Sequence, residues 1–253
     1  NVQNLPRGKA MRTLFSAPAG RVLVVADYSQ IELRVAALVS GDRNMLDAYA
    51  QGKDLHQMTA AAVAKIPFEE VTPDQRQAAK AVNFGLLYGQ GAKGLARYAK
   101  TSYGTDLSEQ EAQAARTTFF DTYPDLRRWQ QETANEAERT QRVVTPGGRV
   151  RDFTTEKGGY RYTEALNTPI QGGAAEVLLA TLDQLDTHLD GIDALLVNLV
   201  HDEIVLDVAE ADTDLAKEAV KEAMVEGLLS QFPNASTVNL VEVHAGRDWA
   251  EAK

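Results

Sequence analysis

Cysteine is missing from all 253 residues. This excludes a disulfide framework and any thiolate metal site, and it leaves the redox compartment open. Long apolar runs are missing as well: no stretch approaches the roughly 20 uninterrupted apolar residues of a membrane span, so no membrane partner is expected. No signal-peptide pattern stands before the first element, and no repeat, low-complexity tract or linker interrupts the chain. An initiating methionine is also lacking; the chain opens at Asn1 in what reads as mid-domain sequence, so a piece of a longer protein is expected.

Basic charge is scarce in one region only. The last third, 166–253, holds four basic against 17 acidic residues, whereas 1–41 holds five against two and 42–165 holds 17 of each. The net charge of −10 therefore does not exclude a nucleic-acid partner, because the acidity is concentrated where a helical pattern reads as a solvated face. An apolar content of 44% and a charged content of 25% are those of an ordinary globular chain long enough to bury a core.

The pattern that is present alternates strand and helix signals. Arg21–Ala26 is a short apolar, β-branched run, read as a buried strand ending at Asp27. Ser29 to Val39 has helical spacing, with Ile31, Val35, Leu38 and Val39 on the inner face. Asp54 to about Ala137 reads as mostly helical, broken at Pro67, Pro73, Gly104 and Pro124. Val143 to Val150 reads as a hairpin around Gly147-Gly148, and Gly173 to Leu189 as another helix. Leu195 to Val208 reads as two strands around His201-Asp202-Glu203, followed by a helix to about Leu229 and a strand near Val238–Val243. A sheet from both ends of the chain, carrying a helical middle as an insertion, is the simplest assembly.

Three clusters carry chemistry. Asp27 ends one apolar strand, and Asp202 and Glu203 sit at the bend between two others. Convergent carboxylates of this kind suit magnesium, and two such ions activate an attacking hydroxyl and stabilise a leaving pyrophosphate. Taken singly, each is more simply explained by local hydrogen bonding at a turn. In the second cluster, Arg76, Lys80, Phe84 and Tyr88 recur every four residues. On a helix they form a row about 18 Å long, at 1.5 Å per residue, with two cations for phosphates at one end and two aromatics for sugar and base at the other. The plainer reading is an amphipathic helix with two solvated bases. The third cluster is Asp27-Tyr28-Ser29-Gln30-Ile31-Glu32-Leu33-Arg34, in which Ser29 and Glu32 have capping-box spacing. His56 alone reads as a surface or capping residue.

Together these segments resemble the three polymerase motifs of the family A DNA polymerases, the bacterial DNA polymerase I type. Asp27 to Arg34 resembles motif A. Arg76-x-x-x-Lys80-x-x-x-Phe84-Gly85-x-x-Tyr88-Gly89 resembles motif B, and His201-Asp202-Glu203 resembles motif C. The likeness runs from Gln3-Asn4-Leu5-Pro6 to Gly246-Arg247-Asp248-Trp249. It implies an α+β fold: a palm with a mainly antiparallel sheet and packed helices (1–41 and 166–253) and an inserted, mostly helical fingers subdomain (42–165). The thumb and exonuclease domains would be absent from these residues. It also implies template-directed transfer of deoxynucleoside monophosphates from dNTPs to a primer 3′-OH, in the cytoplasm of a bacterial or phage-infected cell. Two Mg2+ ions would serve, Mn2+ substituting, held by Asp27, Asp202 and the Tyr28 carbonyl, with Glu203 a secondary acidic group. Lys80, Arg76 and His56 would bind the triphosphate, and Lys80 would act in the chemistry as well. Phe84 and Tyr88 would meet sugar and base, and Gln30 and Glu32 would line the sugar site. Asn167, Gln171 and His201 would touch the primer–template. The partners implied are primer–template DNA, dNTPs and the missing N-terminal thumb region.

Two positions depart from the family pattern: Gln77 stands where a second Arg is common, and Thr163 about where a template-contacting Arg is frequent. The alternatives are a single-subunit phage-type RNA polymerase and a catalytically inactive DNA-binding relic. The first differs in all three motifs, and the second is expected to have lost Asp27, Asp202 or Lys80.

Overall fold

The computed structural model describes residues 9–253; the Gln3-Asn4-Leu5-Pro6 stretch lies outside the described residues. The chain divides into two compact units, one of residues 9–31 with Ala174–Lys253 and one of Glu32–Gly173.

The first unit is built on a four-stranded antiparallel sheet. After a four-residue helix α1 (Lys9–Arg12) comes β1 (Arg21–Tyr28), paired on both sides. Its partners are β5 (Glu203–Ala209) and β6 (Val241–Gly246); β4 (Ala194–Val200) lies beyond β5. β1 is β-branched and apolar because both its faces are covered. Leu23 and Val25 pack with Val200, Val205, Trp249 and Ala252 on one face. Val24 and Ala26 project to the other, as the two-residue period requires, and are fully buried. Helix α10 (Thr213–Gln231) packs against β1, β5 and β6. Gly227 is required there, because a Cβ at that position would lie 2.8 Å from the Thr181 backbone.

The strand expected near Val238–Val243 runs instead from Val241, since Asn239 takes a left-handed φ of 49° that no continuous strand admits. The helix expected from Gly173 begins eleven residues earlier: α9 spans Tyr162–His188 with Pro169 inside it. Proline removes one helical hydrogen bond and ordinarily breaks the element, but full burial of Ala165, Leu166 and Ile170 holds this turn in place.

In the second unit each helix start has a local cause. Asp42 caps α3 (Arg43–Ala50), and its second carboxylate oxygen accepts from the backbone N–H groups of Asp125 (3.0 Å) and Leu126 (3.1 Å). One fully buried carboxylate thus satisfies the amino ends of α3 and α8 (Pro124–Thr140). Asp54 caps α4 (Leu55–Ala64). Thr72 and Gln75 form a capping box on α5 (Pro73–Leu87), and Ser108 and Glu111 another on α7 (Glu109–Thr122). Pro73 and Pro124, expected as breaks, are the first residues of their helices, where a missing N–H costs nothing. Gly104 closes α6 (Ala92–Tyr103) in the left-handed region, φ 66°. The hairpin is formed by β2 (Arg142–Val144) and β3 (Val150–Asp152).

The unit boundaries fall within α2 (Ile31–Ser40) and α9, so the helical unit extends beyond the limits 41/42 and 165/166 expected from sequence. Packing explains the difference: Leu33, Ala36, Ala37 and Ile170 all belong to the helical core with Leu86, Leu87, Phe119 and Tyr123. No helix among the described residues is long and apolar enough to cross a membrane. The fold is α+β.

Candidate active site

The candidate residues fall into two groups, one in each unit. The acidic group is set by the sheet. Asp27 stands directly opposite Glu203 in the β1–β5 register, and the Tyr28 N–H donates to the Asp202 carbonyl at 3.4 Å. His201 and Asp202 form the two-residue loop between β4 and β5, with His201 exposed at a left-handed φ of 58°. The Tyr28 hydroxyl is buried, donating to the Met224 carbonyl and accepting from Thr181, both at 2.6 Å. Burial pushes that phenol's pKa up, and the side chain is thereby committed to the core.

Glu203 is 2% exposed and fully engaged. The Trp249 indole N–H donates to Oε1, the Lys253 ammonium to Oε2, and the Arg12 guanidinium lies 3.8 Å from Oε2. Lys253 also reaches Asp27 Oδ2 at 3.3 Å, so one ammonium bridges the two carboxylates. Burial raises the Asp27 pKa and neighbouring Glu203 adds to it, while Lys253 opposes both. Among the described residues no group of three or more His, Cys, Asp or Glu side chains is arranged to hold a metal ion. The chemistry of the donors nevertheless fits a hard divalent cation: Asp27 and Glu203 meet across one ladder and already hold a cationic centre in Lys253, and Asp202 is the residue next to Glu203 in the chain.

The second group is carried by α5. Arg76, Lys80 and Phe84 follow one another at four-residue intervals along it, and Tyr88 is its C-cap. Phe84 stacks on Tyr88 with centroids 6.2 Å apart and meets the His56 ring at 5.6 Å. His56 is not a surface residue, as its isolated position suggested; it is 3% exposed, and Asp54 supplies the cap. Asn83 Nδ2 lies 2.8 Å from His56 Nδ1. Burial first, with Arg76 and Lys80 acting in the same direction and Asp54 against them, lowers the His56 pKa to about 4.

Arg76 is paired rather than simply solvated: its Nη2 lies 2.6 Å from Asp54 Oδ2, while Asp54 Oδ1 accepts from the Gln57 N–H at 2.7 Å. At the far end of the row the Tyr88 hydroxyl donates to Glu32 and is also hydrogen-bonded by Gln171. Glu32 thus has a tertiary partner beyond the capping box its spacing suggested. Asn167 and Gln171 lie one turn apart on α9; Gln171 is exposed, whereas Asn167 Oδ1 is buried without a partner. Gln30 stands between β1 and α2 at a left-handed φ of 57°. Gln77 is exposed and Thr163 half-buried.

Four participants escaped the sequence reading. Asp54 had a usable signal, an Asp opening a helix two residues before a His. Asn83, Trp249 and Lys253 had none as site residues, because their partners lie 27, 46 and 50 positions away.

A model of DNA polymerase family A matches residues 1–251. The DNA polymerase I of Aquifex aeolicus is 42% identical over 229 residues, 88% of this chain and 38% of that protein. The thermostable DNA polymerase I of Thermus filiformis is 39% identical over the whole chain, which spans 30% of it. The DNA polymerase I of Pseudomonas aeruginosa is 36% identical over the whole chain, which spans 28% of it. The polymerase domain of Pol1 from M. smegmatis, solved with a DNA primer–template and dNTP, superimposes with a TM-score of 0.87 at 31% identity. That match covers all of this chain and 45% of the solved one. The chain therefore spans between about a quarter and two fifths of the curated relatives it matches.

Proposed function

The chain belongs to DNA polymerase family A, and on that premise we propose that it is the palm-and-fingers part of a template-directed DNA polymerase. The sheet unit is the palm and the helical unit the fingers. The substrates are dNTPs and a primer–template, the compounds named for the M. smegmatis complex. The thumb belongs to the remainder of a longer protein, working in the cytoplasm.

The observation that carries the reading is the division of labour along α5. Two cations at its amino-terminal half and two stacked aromatics at its carboxyl-terminal end match the polarity of a nucleoside triphosphate. Arg76 and Lys80 bind the phosphates as charged donors. Asp54 orients Arg76 through a carboxylate that is itself fixed on the amino end of α4. Phe84 and Tyr88 offer faces to sugar and base. Glu32, held by Tyr88, crowds the sugar, and Gln30 lines the same site. Asn167, Gln171 and His201 touch the primer–template.

Asp27, Asp202 and the Tyr28 carbonyl would hold two Mg2+ ions, Mn2+ substituting; when bound, these supply an activated 3′-OH and charge stabilisation of the leaving pyrophosphate. Glu203 keeps Asp27 and Lys253 in place from beside that site. Lys80 stabilises the charge that develops on the phosphates during transfer. Neither alternative is favoured: the relatives found are named as DNA polymerases, and Asp27, Asp202 and Lys80 are all retained.

Primer extension by the full-length protein, with and without Mg2+, and with Lys80→Ala and Arg76→Ala, tests the reading. Both variants are expected to weaken dNTP use while leaving primer–template affinity unchanged. Equal losses in DNA binding and nucleotide use would overturn it.

A further inference from the structure

His56 and Asn83 form a closed buried pair, 3% and 1% exposed, with Asn83 Nδ2 2.8 Å from His56 Nδ1. Asn83 Oδ1 is buried with no partner. The two orientations of this amide are not equivalent. As it stands, the NH2 group donates and His56 Nδ1 accepts, leaving an under-satisfied carbonyl oxygen. Reversed, the oxygen would accept from a protonated Nδ1, and a buried NH2 with two hydrogens would be orphaned. Buried orphan donors are the rarer and costlier of the two.

The surrounding charges reinforce the choice. An imidazolium would carry a hydrogen on Nδ1 against the Asn83 NH2, and it would add a cation beside Arg76 and Lys80 of α5. Only Asp54, on the start of its own helix, attracts it. Burial of the ring disfavours the charge further.

We propose that Asn83 is a positioning residue that fixes the tautomer of His56, keeping Nδ1 an acceptor and the proton on Nε2. His56 then gives the triphosphate a neutral N–H donor rather than a third positive charge. This rests on the nucleotide reading of the α5 row. It also assigns a role to the residue immediately before Phe84, which faces the core rather than the row. A donor whose charge does not vary near neutral pH lets Arg76 and Lys80 set the electrostatics alone.

The test is histidine-selective 15N labelling of the full-length protein, with His56→Gln identifying the His56 signals. At neutral pH, Nδ1 is expected to resonate as an unprotonated nitrogen and Nε2 as a protonated one. A protonated Nδ1, in either the neutral or the charged ring, would overturn the proposal. Kinetics supply the second arm. Asn83→Asp places an acceptor of the same shape against Nδ1 and draws the proton there. It is expected to raise the KM for dNTP about tenfold, the value of one hydrogen bond to a charged group, with kcat nearly unchanged. Asn83→Leu, which merely removes the donor, should raise it less. An unaltered KM in Asn83→Asp would sink the functional half; if that variant fails to fold, the wild-type 15N spectrum still decides. A shift of His56 Nε2 on adding dNTP reports the nucleotide reading itself, while the tautomer is read without nucleotide, so the two failures are distinguishable.

Discussion

Arg76 and Asp54 form an ion pair 2.6 Å long whose acidic partner is pinned by a helix end: Asp54 Oδ1 caps α4 while Oδ2 holds the guanidinium. Only Nη2 of the five Arg donors is used in this contact, so the pair orients Arg76 without consuming it. Asp54→Asn keeps a good cap and loses the charge. It is expected to raise the KM for dNTP several-fold with little change in kcat or thermal stability. Asp54→Ala should show the same kinetic defect and additionally lose about 1 kcal/mol of stability with the cap. Steady-state kinetics and thermal unfolding separate the two. A lower KM in Asp54→Asn would mean that Asp54 competes with the triphosphate instead of positioning its binder.

Asp27→Ala and Asp202→Ala are expected to abolish nucleotide addition while the fold persists, since each is only half-buried and its charge is its proposed contribution. Glu203 should behave in the opposite way. Its removal leaves the Trp249 N–H and the Lys253 ammonium without their buried acceptor, a loss of about 1–3 kcal/mol or more, so Glu203→Ala should lower the unfolding midpoint clearly and activity only partly. Glu203→Gln, which still accepts from Trp249, should recover most of the stability. Near-normal extension rates in Asp202→Ala would show that the metal assignment is wrong.

The depressed pKa of His56 makes stability depend on pH with a definite sign. The folded ring binds its proton only near pH 4, whereas the unfolded one does so near 6.5. Between those values the unfolded state holds more protons, so stability is fully present above about pH 6.5 and is lost as pH falls towards 4. The difference of about 2.5 units corresponds to at most about 3 kcal/mol. Urea unfolding at pH 5 and pH 7 should show a smaller difference in His56→Gln than in the wild type. An identical difference in both would indicate that His56 is not buried neutral.

Much of this arrangement was legible in the sequence because it is local. The β1 strand, the α5 row and the His201-Asp202-Glu203 bend are each written within about fifteen residues, and hydrophobic period and turn chemistry suffice to place them. What escaped depends on distant parts of the chain. Pro169 reads as a helix breaker until Leu166 and Ile170 are seen to be fully buried, and tertiary packing then outweighs local propensity. Glu203 reads as a turn carboxylate until Trp249 and Lys253, from the far end of the chain, are found on it. His56 reads as an exposed helix-start residue because nothing near it in sequence announces Asn83.

Sugar selection provides the last prediction, because Glu32 and Tyr88 are coupled: the phenol donates to the carboxylate, from residues 56 positions apart. Glu32 is proposed to crowd the 2′ position of the incoming sugar, so Glu32→Ala should admit ribonucleotides far more readily. Its carboxylate is held in place by Tyr88, so Tyr88→Phe should loosen the same discrimination, though less, since the carboxylate remains and merely gains freedom. The two changes act on one contact and should not be additive. In the double variant the ribo-to-deoxy ratio should match that of Glu32→Ala alone, with a coupling of about 0.5–3 kcal/mol, as found for residues in contact. Single-nucleotide incorporation of matched ribo- and deoxynucleotides by the four proteins measures it. Additive effects would place Tyr88 in the site by its ring alone, and an unchanged ratio in Glu32→Ala would leave Glu32 a purely structural partner of Tyr88.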